Sequence, residues 1–240
     1  SKAVAMFKSM VSNVVELDTA MTELYKVTNE TKDAYAQFLS GSADTARNVG
    51  ATMTDVINST ADFARLGYSL SDSEELAKAA LIYKSVGDGI KDVDEASQSI
   101  ISTMKAFGVE AENAMTIVDE MNYTGNNFAI SSAGIGDALI RSASALSAAG
   151  NTMEQSIALI TAMNSTVQDT DKVGTTLKTL TMYLRAAKTE AESAGESTEG
   201  MATSVSKLRE DILALTDNKV DIMLDSENFK STYQIMQEIS

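Results

Sequence analysis

The sequence has 240 residues, a formal charge of −15, 44% hydrophobic side chains and only 5% aromatic ones, with no Cys, His, Pro or Trp. A chain this long can bury a real core. With large rings scarce, that core must be built from aliphatic and small side chains, which suits packed helices better than a β-sandwich. The charge disfavours phosphate backbones and anionic membranes, the missing Cys excludes disulfides and thiolate chemistry, and the missing His removes the commonest general base and metal imidazole.

Residues 2 to 39 carry the longest unbroken pattern. Ala3, Phe7, Met10, Val14, Leu17, Met21 and Leu24 alternate spacings of four and three, and Thr28, Thr31, Tyr35 and Phe38 continue the register with a polar break. This predicts a long heptad-patterned helix over 1–40, with a weak point near 28 to 31. Two readings of the seam Phe7, Met10, Val14, Leu17, Met21 and Leu24 stay open. One is self-association into a homo-oligomer, including a trimer; the other is packing onto the helices that follow.

A helical core is expected over 41–187. Gly41, Gly50, Gly67, Gly87, Gly108 and Gly150 recur ahead of new helix starts. Thr52 with Asp55, Ser69 with Asp72, and Thr152 with Gln155 have capping-box spacing or its Asp variant. The expected fold class is therefore all-α, an irregular array of antiparallel helices. Within it, Ser131 to Leu184 reads as a packing unit of three helices. Ile135, Leu139, Ser142, Leu146 and Ala149 share one face. Gly150 provides a left-handed helix end. Met153, Ile157, Ile160, Met163 and Val167 line the next helix, and the run SASALSAA lets a neighbouring helix approach closely.

Residues 188–202 (KTEAESAGESTEGMA) read as a flexible acidic connector. The last part, 203–240, reads as a helix from about Thr203 to Thr216, a short extended segment near 219–225, and a final helix capped by Ser226. Val205, Leu208, Ile212 and Leu215 line the first of these helices. Phe229, Tyr233, Met236 and Ile239 line the last.

No motif for catalysis stands out. Ser204 with Lys207, and Thr175 with Lys178, have the spacing of a Ser/Lys nucleophile pair, which recurs by chance in such helices. The stretch from Asp169 begins like a calcium loop but fails at Val173 and Leu180. Asp92, Asp94 and Glu95 suit a helix N-terminus better than an acid–base pair. Gly87 and Gly89 lack the strand and the Lys-Ser/Thr of a phosphate loop. The sequons at Asn58, Asn122 and Asn164 are taken as chance. No catalytic, metal or cofactor residues are expected, and an enzyme is not. No apolar run reaches 18 residues and no signal peptide is visible, so no membrane contact by this segment is expected. The start at Ser1 and the stop inside a helical pattern lead us to expect a piece of a longer protein.

AGIGDALIRSASALSAAGNTMEQSIALITAMN followed by VGTTLKTLTMYLR resembles the core domain of phage tail tape measure proteins. The segment FARLGYSLSDSEELAKAALIYKSVGDGIKDVDEASQSIISTMKAFG, then GVEAENAMTIVDEMNYTGNN, and finally KLREDILALTDNKVDIMLDSENFKSTYQIMQEIS follow that family's order, so the resemblance covers roughly residues 15 to 240. It implies a structural protein of the tail tube lumen that sets tail length, supports assembly in the host cytoplasm and leaves the virion ahead of the genome. The partners it implies are the tube protein, tail assembly chaperones and distal tail proteins, with no sequence-specific nucleic acid. A cytoplasmic helical scaffold or signalling coiled coil remains the alternative reading.

Overall fold

Helix ends in this chain are set by short polar side chains and by glycines that accept positive φ. In the computed structural model, Thr52, Ser69, Asp92, Ser131, Thr152 and Asp169 each accept a hydrogen bond from a backbone N–H in the first turn of the helix they precede. Such caps satisfy donors that have no partner inside the helix. At the other ends, Gly50, Gly108 and Gly150 turn left-handed with φ of 70°, 66° and 77°. The structure describes residues 2–240; Ser1 and the side chains of Ala3 and Phe7 lie outside the described residues.

The elements run α1 (Lys2–Val27), α2 (Lys32–Val49), α3 (Met53–Arg65), α4 (Leu70–Val86), α5 (Val93–Phe107), a single 3-10 turn (Ala111–Asn113) and α6 (Ala114–Asn127). Then come α7 (Ser132–Ala148), α8 (Met153–Val167), α9 (Thr170–Tyr183), α10 (Lys188–Ser193), α11 (Val205–Leu215) and α12 (Thr232–Ile239). No strand or sheet forms among the described residues, so the fold is all-α as expected.

The main core joins α3 to α9. Its largest fully buried side chains include Phe63, Tyr83, Ile100, Ile117, Met121, Ile135, Leu139, Leu146 and Ile160. The face predicted for α7 is all inside, and that of α8 is inside except for Val167, which is exposed. A second cluster seats Ala20, Met21 and Leu24 of α1 against Phe38, Ile57, Ala61 and Leu70. A third, near the C-terminus, gathers Val220, Ile222 and Ile235 with Leu184, Leu208, Ile212 and Phe229 around it.

The helices of the main core approach closely at α7. A Cβ built on Gly136 would stand 2.4 Å from Ser99 Oγ of α5, and one on Gly174 of α9 would stand 2.7 Å from the Ala138 carbonyl oxygen of α7. Tyr83 of α4, fully buried, donates its hydroxyl to the Ser132 carbonyl at 2.8 Å and so ties α4 to the start of α7. The small residues of α7 therefore serve the purpose expected of SASALSAA, but the tightest contacts lie one to two turns earlier.

Five expectations need correction. The first helix does not run to residue 39. It stops at Val27: Tyr35 Oη takes the Glu30 N–H (3.2 Å), and Thr31 caps a new helix by accepting the Ala34 N–H. Gly41 ends nothing: it lies inside α2. The last helix is capped by Ser231 with Gln234 in a capping box, not by Ser226. The extended segment of 219–225 contributes a single antiparallel bridge, Met223 to Phe229, and its third apolar residue, Leu224, is exposed. The stretch 188–202 contains α10, buries Ala191 and Met201, and is joined to α9 by Lys178 to Glu196 (2.8 Å) and by Tyr183 Oη to the Glu199 carbonyl (2.8 Å).

The two interior glycines Gly41 and Gly174 predict opposite outcomes for one substitution. Gly41→Ala should stabilise by about 0.5–1 kcal/mol, because its new methyl meets only the flexible Glu74 carboxylate at 3.1 Å. Gly174→Ala should lower stability by about 1–3 kcal/mol, because it meets backbone that cannot yield. Thermal denaturation of the two variants beside the parent chain checks the difference in sign.

Candidate interaction surfaces

The predicted seam of α1 divides in two. Leu17, Met21 and Leu24 turn inward, onto α2, α3 and α4, and Leu24 is completely buried. Met10 and Val14 do not: they are 64% and 66% exposed, and Val4, Met6, Val11 and Val15 beside them are exposed too. Phe7 has its side chain outside the described residues. The first four turns of α1 thus carry a broad apolar face that nothing among the described residues covers, in register with the half that is packed. Sequence reasoning found the seam but could not find where packing stops, since the heptad spacing is the same on both sides.

The candidate chemical groups are spent on structure. Ser204 caps α11 by accepting from the Lys207 N–H, and the Lys207 ammonium faces Asp211 (2.8 Å) and Glu210 (3.4 Å). Those hydrogen bonds, that to Asp211 first, push the Lys207 pKa up, so the group is held charged and is no base. Thr175 donates to the Asp171 carbonyl, and Lys178 is paired with Glu196, whose carboxyl is held low by that bond. Asp92 caps α5, while Glu95 accepts the Lys91 N–H at 2.7 Å. Asp169 caps α9 and pairs with Lys172.

A groove that the sequence did not announce lies where the loop before α7, the end of α8 and the start of α9 meet. It encloses about 630 Å³, and Asp88, Asp137, Asn164, Asp169 and Asp171 line it. Asp171 is paired with Arg141 (2.8 Å). Asp137 lies half-buried with no hydrogen-bonding partner for its carboxylate, and its pKa is raised, first by desolvation and then by the negative charges of Glu95 and Asp171; Lys91 and Arg141 oppose this weakly. Asn164 donates its amide to the Ala129 carbonyl (3.2 Å), but its own side-chain oxygen is buried without a partner. The signal was invisible in sequence because residues 88, 137 and 164 are far apart along the chain.

Beside this groove runs a second, apolar cavity of about 410 Å³. Tyr123, Ile157 and Ala158 line it, and Phe128 and Ala129 form a wall shared with the acidic groove. Among the described residues no group of three or more carboxylates stands together as a metal site, and no helix is long and apolar enough to cross a membrane.

What this molecule offers its surroundings is helical surface, part apolar and part acidic, on a rigid packed body. That defines the class: a helical structural module. The sequence matches the family of phage-related minor tail proteins over residues 43–239, and the chain belongs to that family. It is therefore a structural phage tail protein, associated with the virion and with other tail proteins. The bare half of α1 precedes the matched stretch. No solved structure matches the chain.

The charge crowding at Asp137 has a measurable consequence. A carboxyl with a raised pKa destabilises the fold when ionised, and the penalty vanishes as pH falls through that pKa. Asp137→Asn should therefore melt higher than the parent at pH 7, with the gap closing as the pH is lowered through the raised pKa. Melting temperatures across a pH series check it.

Proposed function

We propose that this chain is the folded domain of a tape measure protein, and that the ruler itself lies in a separate rod. The observation that carries the reading is the way the helices of the matched region double back. A ruler converts residues to length at about 1.5 Å each only while its helix stays extended. Here Gly50, Gly108 and Gly150 reverse the chain, and α3 to α9 share one core. α1, 26 residues long and so about 39 Å, projects an unpacked half.

In this reading the compact body docks at a tail end or starts assembly, with the tube protein, assembly chaperones and distal tail proteins as partners. The protein works in the host cytoplasm during assembly and then in the tube lumen, which it leaves with the genome. Its role is structural and not catalytic. The exposed half of α1 carries self-association into a homo-oligomer, a trimer being one arrangement open to it. The alternative scaffold reading requires a seam throughout the chain, and the heptad register fades after about residue 40.

An in-frame deletion of residues 43–239 in a phage carrying this protein tests the proposal. Absent or malformed tails in electron micrographs are the expected outcome. Normal tails shortened in proportion to the residues removed would make this region part of the ruler. For the helix, Met10→Glu with Val14→Glu should leave the fold's melting temperature unchanged and abolish association in sedimentation experiments. Leu24→Ala should cost about 2–5 kcal/mol of stability by opening a cavity.

A further inference from the structure

We propose that the acidic groove and the apolar cavity beside it together seat one segment of a partner polypeptide, in which a lysine or arginine stands next to an apolar side chain. The two hollows share the wall made by Phe128 and Ala129, so a single extended segment reaches both.

The acidic half asks for a cation with N–H donors. Of its four carboxylates, Asp169 is committed to the α9 cap and Lys172, and Asp171 to Arg141. Acids at a helix start explain those two. They do not explain Asp88 or Asp137, whose side chains have no such commitment, nor Asn164. Asn164, which lines the groove, is 6% exposed, and its side-chain oxygen is buried without a partner. A buried acceptor without a donor costs free energy that a bound donor restores. Ammonium and guanidinium groups carry donors only, and both are cations, so one side chain answers the orphan and the unpaired acids together.

A calcium ion would need six to eight oxygen ligands. The described residues gather no set of even three carboxylates around one point, which leaves an organic cation as the better fit. The second hollow then selects a polypeptide over a small polyamine. Tyr123 and Phe128 are 65% and 57% exposed and line it together with Ile157. Exposed aromatic rings at the edge of a pocket are the usual anchors of protein interfaces. The chain's own charge of −15 makes a second copy a poor occupant, because it would bring more negative surface. The proposal deepens the role of a structural module that docks on other tail proteins. It depends on this one face, whichever tail protein supplies the segment.

The test is a solution titration of the intact 240-residue chain, followed by amide chemical shifts, with three capped dipeptides: Lys-Leu, Gln-Leu and Lys-Gly. Lys-Leu should move the amides of Gly125, Phe128, Ala129 and Asp169 to Asp171 in a saturable way, with the other two weaker by about tenfold or more. The double variant Asp88→Asn/Asp137→Asn should lose Lys-Leu binding by about tenfold. Its melting temperature and undisturbed spectrum elsewhere show that it is folded. A charge-matched control, Glu192→Gln/Glu227→Gln, should bind as the parent does. Equal loss in the control would reduce the effect to overall charge and overturn the proposal. So would equal binding of Gln-Leu, no binding at all, or calcium chloride saturating the same amides and displacing the dipeptide. A change of oligomeric state in Asp88→Asn/Asp137→Asn would give the face to a second copy and overturn it as well. None of these outcomes bears on tail length, so this result and that of the 43–239 deletion can fail separately.

Discussion

Everything in the main core is arranged around the closeness of α7 to its neighbours. Backbone meets side chain or backbone at distances where no Cβ fits: Gly136 against Ser99, Gly174 against the Ala138 carbonyl, and Gly125 against Ser132. Helices usually pack with axes 8–10 Å apart, and the small residues here let α5, α6 and α9 approach α7 too closely for a side chain at these positions. With few aromatic rings to fill space, density comes instead from small residues and aliphatics interlocked at short distance. Tyr83 is the exception, a large buried ring whose hydroxyl is satisfied by the Ser132 carbonyl.

The acidic groove is a by-product of that closeness. Asp137 sits between Gly136 and Ala138, two positions where a neighbouring helix presses directly on α7. It therefore cannot retreat from Glu95 on α5 or Asp171 at the start of α9, and both raise its pKa. A looser core would let these charges separate into water. The packing constraint thus holds like charges close together beside the groove.

Much of the architecture was legible because the chain uses local signals honestly. Thr52 with Asp55 and Thr152 with Gln155 form the capping boxes that their spacing predicts, and Gly50, Gly108 and Gly150 turn left-handed where a helix must end. The misreadings came where a local signal had two meanings. Gly41 looked like a turn, but in α2 it is simply a small residue beside α4. Ser226 and Ser231 both suit a cap, and only the second has Gln234 three residues on within the helix actually formed. The groove was illegible for a different reason. Its floor comes from a loop after α4, from α7 and from α8, and no periodicity connects residues 88, 137 and 164.

The seam of α1 shows how one sequence pattern can serve two surfaces. Its second half buries Ala20, Met21 and Leu24 against three other helices, which fixes the direction of the whole helix. Its first half continues the same register with Met10 and Val14 bare. Contiguous apolar surface of this kind is uncommon on a protein that stays alone. The bare half belongs to the same continuous helix as the packed half, so little backbone entropy remains to be lost when it is covered. The break at Thr28 completes the arrangement. With α1 ending there and α2 packing on α3 and α4, the apolar face of the first turns stays uncovered among the described residues.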